Sequence, residues 1–251
     1  MYEFAKGPLG IGQQVDQAIK LTRHIYLSAL GVVLLTVSIS VLSAFTNTSF
    51  VEQADDIGSI GASAWAGFII FTILTVYLYF LLVIQICYRA FGLGDMVDAM
   101  TMSFKKLFPL IGLYLGLVLA VSFGMILLIV PGMILVISLS LSMYCMVLEG
   151  TGPIESLKRS HSLVWGNWMR TAMVFSVGGL LLIVFYFIVV FVSAIVIFTS
   201  DPDSIQFWTS VLTSAITPFA QPFLIAMGLV IYNDVRVRKE GGDLEDQIEN
   251  L

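Results

Sequence analysis

Residues 107–148 read LFPLIGLYLGLVLAVSFGMILLIVPGMILVISLSLSMYCMVL, 42 residues without one Asp, Glu, Lys or Arg. An α-helix needs about 20 apolar residues to cross the hydrocarbon core of a bilayer, so this stretch is long enough for two crossings. It divides at Val130-Pro131-Gly132, where a residue without an amide proton precedes one free to turn. Working outward, residues 24–51, 57–88, 171–200 and 204–233 are also free of charge. Six spans follow, near 25–45, 64–88, 109–129, 133–148, 171–198 and 207–232. Composition agrees, with 58% of the chain apolar and 12% charged, against roughly 45–50% and about 25% in a soluble domain. The expected fold is all-α and polytopic, with 1–238 a single six-helix membrane domain and 239–251 an acidic tail.

The basic residues test that count independently. Lys6, Lys20 and Arg23 precede the first span; Arg89, Lys105 and Lys106 lie between the second and third; Lys158, Arg159 and Arg170 lie between the fourth and fifth; Arg236, Arg238 and Lys239 follow the sixth. These groups contain all 12 Lys and Arg, while the alternate loops hold only Glu52, Asp55, Asp56, Asp201 and Asp203. Basic loops are retained on the cytoplasmic side, so both termini are expected there. The first apolar run begins near Ile25 and reads as a span rather than a cleaved leader. Cys87 and Cys145 sit near cytoplasmic helix ends, where no disulfide is expected, and with His24 and His161 they make no recognisable metal spacing. Neither cofactor nor metal is expected, and the acidic balance offers no surface for nucleic acid.

Three cytoplasmic stretches share a pattern. Gly12-Gln13-Gln14-Val15-Asp16 and Gly94-Asp95-Met96-Val97-Asp98 are followed by the shorter Gly152-Pro153-Ile154-Glu155. Apolar residues then recur at helical spacing: Val15, Ala18, Ile19 and Thr22; Val97, Met100 and Phe104; Ile154, Leu157, His161 and Val164. The repeat unit predicted is a cytoplasmic interfacial helix plus a transmembrane hairpin, three times over, with Trp165 and Trp168 marking the interface. The plainer alternative is a linker helix that sets hairpin spacing.

No ionisable side chain falls inside any span, which argues against a pump driven through membrane carboxylates. Gln221 lies near mid-depth between Pro218 and Pro222, prolines that free the carbonyls of Ser214 and Pro218, so the sixth helix is expected to kink or unwind there. The amide either lines a site, as in broken transporter helices, or satisfies those carbonyls. Glu149 ends the fourth helix, where a carboxylate opposes the helix dipole and calls for relief by Lys158, Arg159 or Arg89.

Two segments carry a family resemblance. One runs from Val130-Pro131-Gly132 through Val147-Leu148-Glu149-Gly150 to Ser156-Leu157-Lys158-Arg159-Ser160; the other is Ile231-Tyr232-Asn233-Asp234-Val235-Arg236-Val237-Arg238-Lys239-Glu240-Gly241 and the residues to Glu245. Together they resemble the membrane domain associated with glycerophosphoryl diester phosphodiesterases and related six-helix bacterial inner-membrane proteins. The resemblance implies a protein of the bacterial cytoplasmic (inner) membrane, and lends a fold and little chemistry. Diester hydrolysis needs a carboxylate-held metal with histidine as acid and base, and here the two histidines lie on separate segments. Asn233 stands where that family often has an aromatic residue.

The function expected is therefore a non-enzymatic assembly, scaffold or regulatory component that contacts membrane lipids, a partner protein or a second copy of itself. The alternative is a carrier or channel for a lipid or small amphiphile, lined by Gln221 and the serines of the fourth helix. A lipid-modifying enzyme ranks third, resting on Glu149, Ser160 and His161. The residues carried forward are Gln221, Pro218, Pro222, Glu149, Ser160, His161, Arg236, Arg238 and Glu240.

Overall fold

The structure, a computed structural model, describes residues 2–5, 7–52, 61–199 and 205–249. Its regular elements are all helical: α1 (Ile11–Glu52), α2 (Ala62–Phe91), α3 (Met96–Lys105), α4 (Leu107–Leu127), α5 (Ile129–Leu139), α6 (Ser142–Leu148), α7 (Pro153–Val164), α8 (Trp168–Thr199), α9 (Ile205–Ile216), a 3-10 turn (Thr217–Ala220) and α10 (Gln221–Glu249). Six segments are long and apolar enough to cross a membrane: Ile11–Ala44, Trp65–Phe91, Leu107–Leu127, Ile129–Leu148, Trp168–Ile195 and Phe207–Gly241. By that measure this is a multi-pass membrane protein. Asp55, Asp56, Asp201 and Asp203 lie outside the described residues, as do the side chains of the acidic tail beyond Gly241. The helices form two compact units, Met1–Ile25 with Val83–Gly179 and Phe223–Leu251, and Tyr26–Leu82 with Leu180–Pro222.

In the first unit, α4 folds back onto α5. The reversal falls at Leu128, whose backbone is extended (φ −164°, ψ 147°), and not at Val130-Pro131-Gly132. Pro131 instead occupies the first turn of α5, where a missing amide proton costs no helical bond. Gly132 serves close approach rather than turning: a Cβ there would stand 2.9 Å from the Cα of Met125, and one on Gly124 would stand 3.1 Å from the Cα of Gly132. The fourth span, expected as one helix, is interrupted between Leu139 and Ser142. Ser140 and Ser142 donate their hydroxyls back to the carbonyls of Ile137 and Leu139 at 2.8 and 2.7 Å, a bonding pattern that bends helices. α7 packs against α4, α5 and α6. Gly116 makes room for it, since a Cβ there would meet Leu157 Cδ1 at 3.2 Å.

The apolar stripe read from the sequence faces outward on α3 and only in part on α7, where Val164 is buried. Ala99 and Ser103 are the buried residues of α3, while Val97, Met100 and Phe104 are 75, 45 and 57% exposed. On α7 the buried side holds Ser156 and Ser160 with Leu163 and Val164, and Ile154 faces outward. Aligning Asp98 with Glu155 puts Ala99 over Ser156 and Ser103 over Ser160. Small side chains let helices approach inside a bilayer protein, where the apolar residues gain nothing by turning inward from lipid. The first of the three stretches is no separate helix. Neither Gly nor Pro interrupts residues 13–30, so they run straight into the first span, with Gln14, Ala18, Leu21 and Ile25 buried.

In the second unit the sixth span tightens into the 3-10 turn Thr217–Ala220, with Pro218 inside it and Pro222 just beyond. Each proline lacks the donor an α-turn requires. Thr72 and Thr75 of α2 bond back to Phe68 and Phe71 beside a cavity of about 230 Å³ also lined by Ser43 and Val76.

Candidate functional site

The polar side chains of the first unit gather into two clusters. The first is built around Glu149, at the C-cap of α6. Gly150 follows with φ +72°, the left-handed conformation that ends a helix and suits glycine. That turn launches α7, whose Arg159 comes back to Glu149 with Nε 2.9 Å from Oε2 and 3.2 Å from Oε1. Tyr232 of α10 donates its hydroxyl to Glu149 Oε1 at 2.8 Å. Arg159 reaches Glu240 Oε1 at 2.9 Å, and Arg236 meets both Glu240 oxygens at 3.0 Å. Two arginines and two glutamates thus alternate and cancel. The hydrogen bond that Arg159 donates to Glu149 raises its pKa above the ordinary value. The dipole problem at Glu149 is relieved by Arg159 and Tyr232; Arg89 pairs with Asp95 instead, and Lys158 is exposed.

The second cluster centres on Asp234, 2% exposed. Its Oδ1 accepts from the Leu9 amide at 2.7 Å, and its Oδ2 accepts from Gln14 Nε2 at 2.7 Å and Arg238 Nε at 2.8 Å. Arg238 donates in turn to the Leu9 carbonyl at 2.9 Å. The carboxylate therefore ties the segment before α1 to the last helix. That segment is also held by Tyr2, whose amide bonds the Ala90 carbonyl at 2.9 Å, and by Phe4, stacked on Phe91 at 4.8 Å. Burial raises the pKa of the Tyr2 hydroxyl. Arg170 stands nearby with Nε 3.6 Å from Asp234 Oδ2, beyond hydrogen-bond range.

Three of the residues singled out from sequence, Glu149, Arg236 and Glu240, share the first cluster, and Arg238 belongs to the second. Ser160 does neither. Its hydroxyl donates to the Ser138 carbonyl at 2.8 Å and accepts from the Leu141 amide at 3.2 Å, which joins α7 to the interruption between α5 and α6. His161 is exposed and lies against Trp165 at 5.1 Å between ring centroids. Ser160 is thus committed to backbone groups, away from Glu149, and the three residues form no nucleophile–base pair. Gln221 opens α10 directly after the 3-10 turn, and its Oε1, like Thr217 Oγ1, is buried without a hydrogen-bond partner. Asp234's reach to Leu9 and Gln14, and the position of Arg170, had no sequence signal beyond the i, i+4 spacing of Asp234 and Arg238.

Cys87 and Cys145 are free and buried, and among the described residues no group of His, Cys, Asp or Glu is arranged to hold a metal ion. No curated protein and no solved structure matches the chain. Residues 90–235, from the end of α2 to the turn of α10 that carries Asp234, match a domain of unknown function (DUF7847). That match covers more than half of the 251 residues, and the chain belongs to the DUF7847 family.

Proposed function

We propose that this chain is a six-span protein of a bacterial cytoplasmic membrane, with both termini cytoplasmic, that acts without catalysis as an assembly or regulatory component seated on lipid headgroups. The supporting observation is α3. Its Ala99 and Ser103 are buried, its Val97 and Met100 point outward with Phe104, and Asp98, Thr101 and Lys105 lie on a third side. Phe108, 83% exposed, continues the outward apolar character. A helix that shows protein, apolar and cationic sides together is stable where acyl chains meet headgroups. α7 supplies a second such helix, with Ile154 and Trp165 outward. Three hairpins introduced by cytoplasmic segments, the first continuous with its span, is the architecture this implies. Kinship with the membrane domain associated with glycerophosphoryl diester phosphodiesterases is part of the proposal. It is supported by the convergence of Glu149, Tyr232, Arg236 and Glu240, all in the segments that carry the resemblance, in one ion-pair cluster.

Spin labels at V97C and M100C test the reading by comparing collisions with lipid-soluble oxygen and an aqueous nickel chelate. Oxygen should dominate at both sites and nickel at T101C; nickel dominating at all three would remove the interfacial placement. The carrier reading retains the unpartnered Gln221 Oε1 and Thr217 Oγ1 at the break in the sixth span and, in the fourth, the buried Ser138 hydroxyl without a partner. Against it, Ser140 and Ser142 spend their hydroxyls on their own helix.

A further inference from the structure

Arg170 is the one guanidinium of the Asp234 cluster left without a hydrogen bond. Asp234 already accepts from Leu9, Gln14 and Arg238. Arg170 Nε is shut off from solvent with no hydrogen-bond partner, and among the described residues the rest of the group makes no hydrogen bond. The balance of one carboxylate against Arg238 and Arg170 leaves one positive charge. The neighbouring cluster supplies no anion, since Glu149 and Glu240 are taken by Arg159 and Arg236, and Asp16 pairs with Lys20.

The arginine opens onto a cleft of about 310 Å³ lined by Ile11, Gly166, Asn167, Met169, Arg170 and Met173. The lining is mixed: Asn167, just before α8, and Arg170, in its first turn, are polar, and Ile11, Met169 and Met173 are apolar. The Asn167 carbonyl accepts from the Thr171 amide at 3.0 Å and so begins that helix. Its opening amides have no acceptor within the helix, and its dipole is positive at this end. Trp165, 60% exposed, immediately precedes Gly166 of the cleft lining, and exposed tryptophans favour the headgroup region.

We propose that this cleft binds a phosphate oxyanion carried by an anionic phospholipid, with Arg170 as counter-ion and hydrogen-bond donor and with Ile11, Met169 and Met173 against the glycerol and first acyl carbons. The guanidinium fork matches phosphate geometry, and a lining that sets three apolar side chains beside the arginine suits an amphiphile better than a free ion. The proposal rests on the membrane placement above but not on α3, so each can fail alone.

The full chain in nanodiscs, with bound lipid counted by native mass spectrometry and stability followed by thermal melting, gives the test. Phosphatidylglycerol should bind about 10- to 100-fold more tightly than phosphatidylcholine, the equivalent of one charge-assisted interaction. R170Q should abolish that preference, and M173W, which fills the cleft from one of its apolar lining residues and keeps Arg170 with Asp234, should abolish it too. R23Q, which removes an exposed cation lining no part of the cleft, should leave it intact. Should R170Q melt too early to assay, M173W and R23Q decide alone. A preference unchanged in M173W, or lost equally in R23Q, overturns the site in favour of general surface charge. Inorganic phosphate that stabilises the detergent-purified protein and displaces phosphatidylglycerol overturns the lipid assignment in favour of a free anion. Loss of preference with the α3 spin labels still lipid-exposed would leave the interfacial reading standing.

Discussion

Replacing Asp234 with asparagine keeps the size of the side chain and removes the charge that three donors share. In the folded protein the carboxylate receives the Leu9 amide, Gln14 Nε2 and Arg238 Nε at 2.7, 2.7 and 2.8 Å. Asparagine preserves one acceptor atom and turns an NH₂ toward donors that need an acceptor. Removing one member of a fully buried ion pair costs about 3–5 kcal/mol. Here the arginines retain some solvent contact, 22% for Arg238 and 29% for Arg170, which places the loss nearer about 2–4 kcal/mol. In a chain of this size each kcal/mol moves the melting temperature by about 2–4 °C, so the shift should be roughly 4–16 °C. Circular dichroism melting in mild detergent measures it. A second readout is local: the Leu9 amide loses its acceptor, so chymotrypsin should cut near Phe4 and Leu9 in D234N well before it cuts the wild type. The double variant D234N/R238M should recover part of the loss, because it no longer leaves Arg238 facing a neutral partner. A D234N protein that melts within a degree of wild type and resists cleavage equally would refute the view that this carboxylate clamps the two ends of the first unit.

Other substitutions follow from single contacts. E149Q leaves Arg159 and the Tyr232 hydroxyl with a neutral partner and should cost about 1.5–3 kcal/mol; Y232F should cost about 1 kcal/mol, and thermal melting of both with the double variant should show coupling. S160A removes the partner of the Leu141 amide and the Ser138 carbonyl; the loss is about 1–3 kcal/mol, read most directly as faster hydrogen exchange at Leu141. G228A brings a methyl to within 2.3–2.8 Å of the Tyr144 ring and hydroxyl, which bonds the Ile225 carbonyl, so it should destabilise by about 1–3 kcal/mol, and G228A/Y144F should recover little because the ring itself is in the way.

The six spans were legible because a bilayer excludes charge, and each of the six long apolar helical segments is built on one of the charge-free stretches of the sequence. Their interruptions were less so. Pro131 reads as a breaker, yet the first turn of a helix tolerates it, and the reversal moved to Leu128, an ordinary apolar residue. Nothing marks Ser140 as the site of a break except that its hydroxyl and that of Ser142 compete for helix carbonyls. On α3 the apolar stripe was legible and its packed side was not: Ala99 and Ser103, small residues with little hydrophobic signal, are buried, and Val97 and Met100 face out. Among the polar residues, Glu149 and Glu240 could be singled out from their positions at helix ends and in the motif. Asp234's ties to Leu9 and Gln14 join parts of the chain more than 200 residues apart, and Arg170's isolation emerges only once its neighbours' pairings are in place.

The central claim is that six crossings return the chain to the side on which it began, with every basic segment inside. It is tested most directly by single cysteines at Lys20, Lys105, Lys158 and Lys239 and at Asp55 and Asp201, in a background with Cys87 and Cys145 replaced, labelled in intact cells by an impermeant maleimide. The account predicts labelling at Asp55 and Asp201 alone, with the other four reacting only after the inner membrane is opened. Labelling at Lys105 or Lys239 in intact cells, or protection at Asp55, would contradict it.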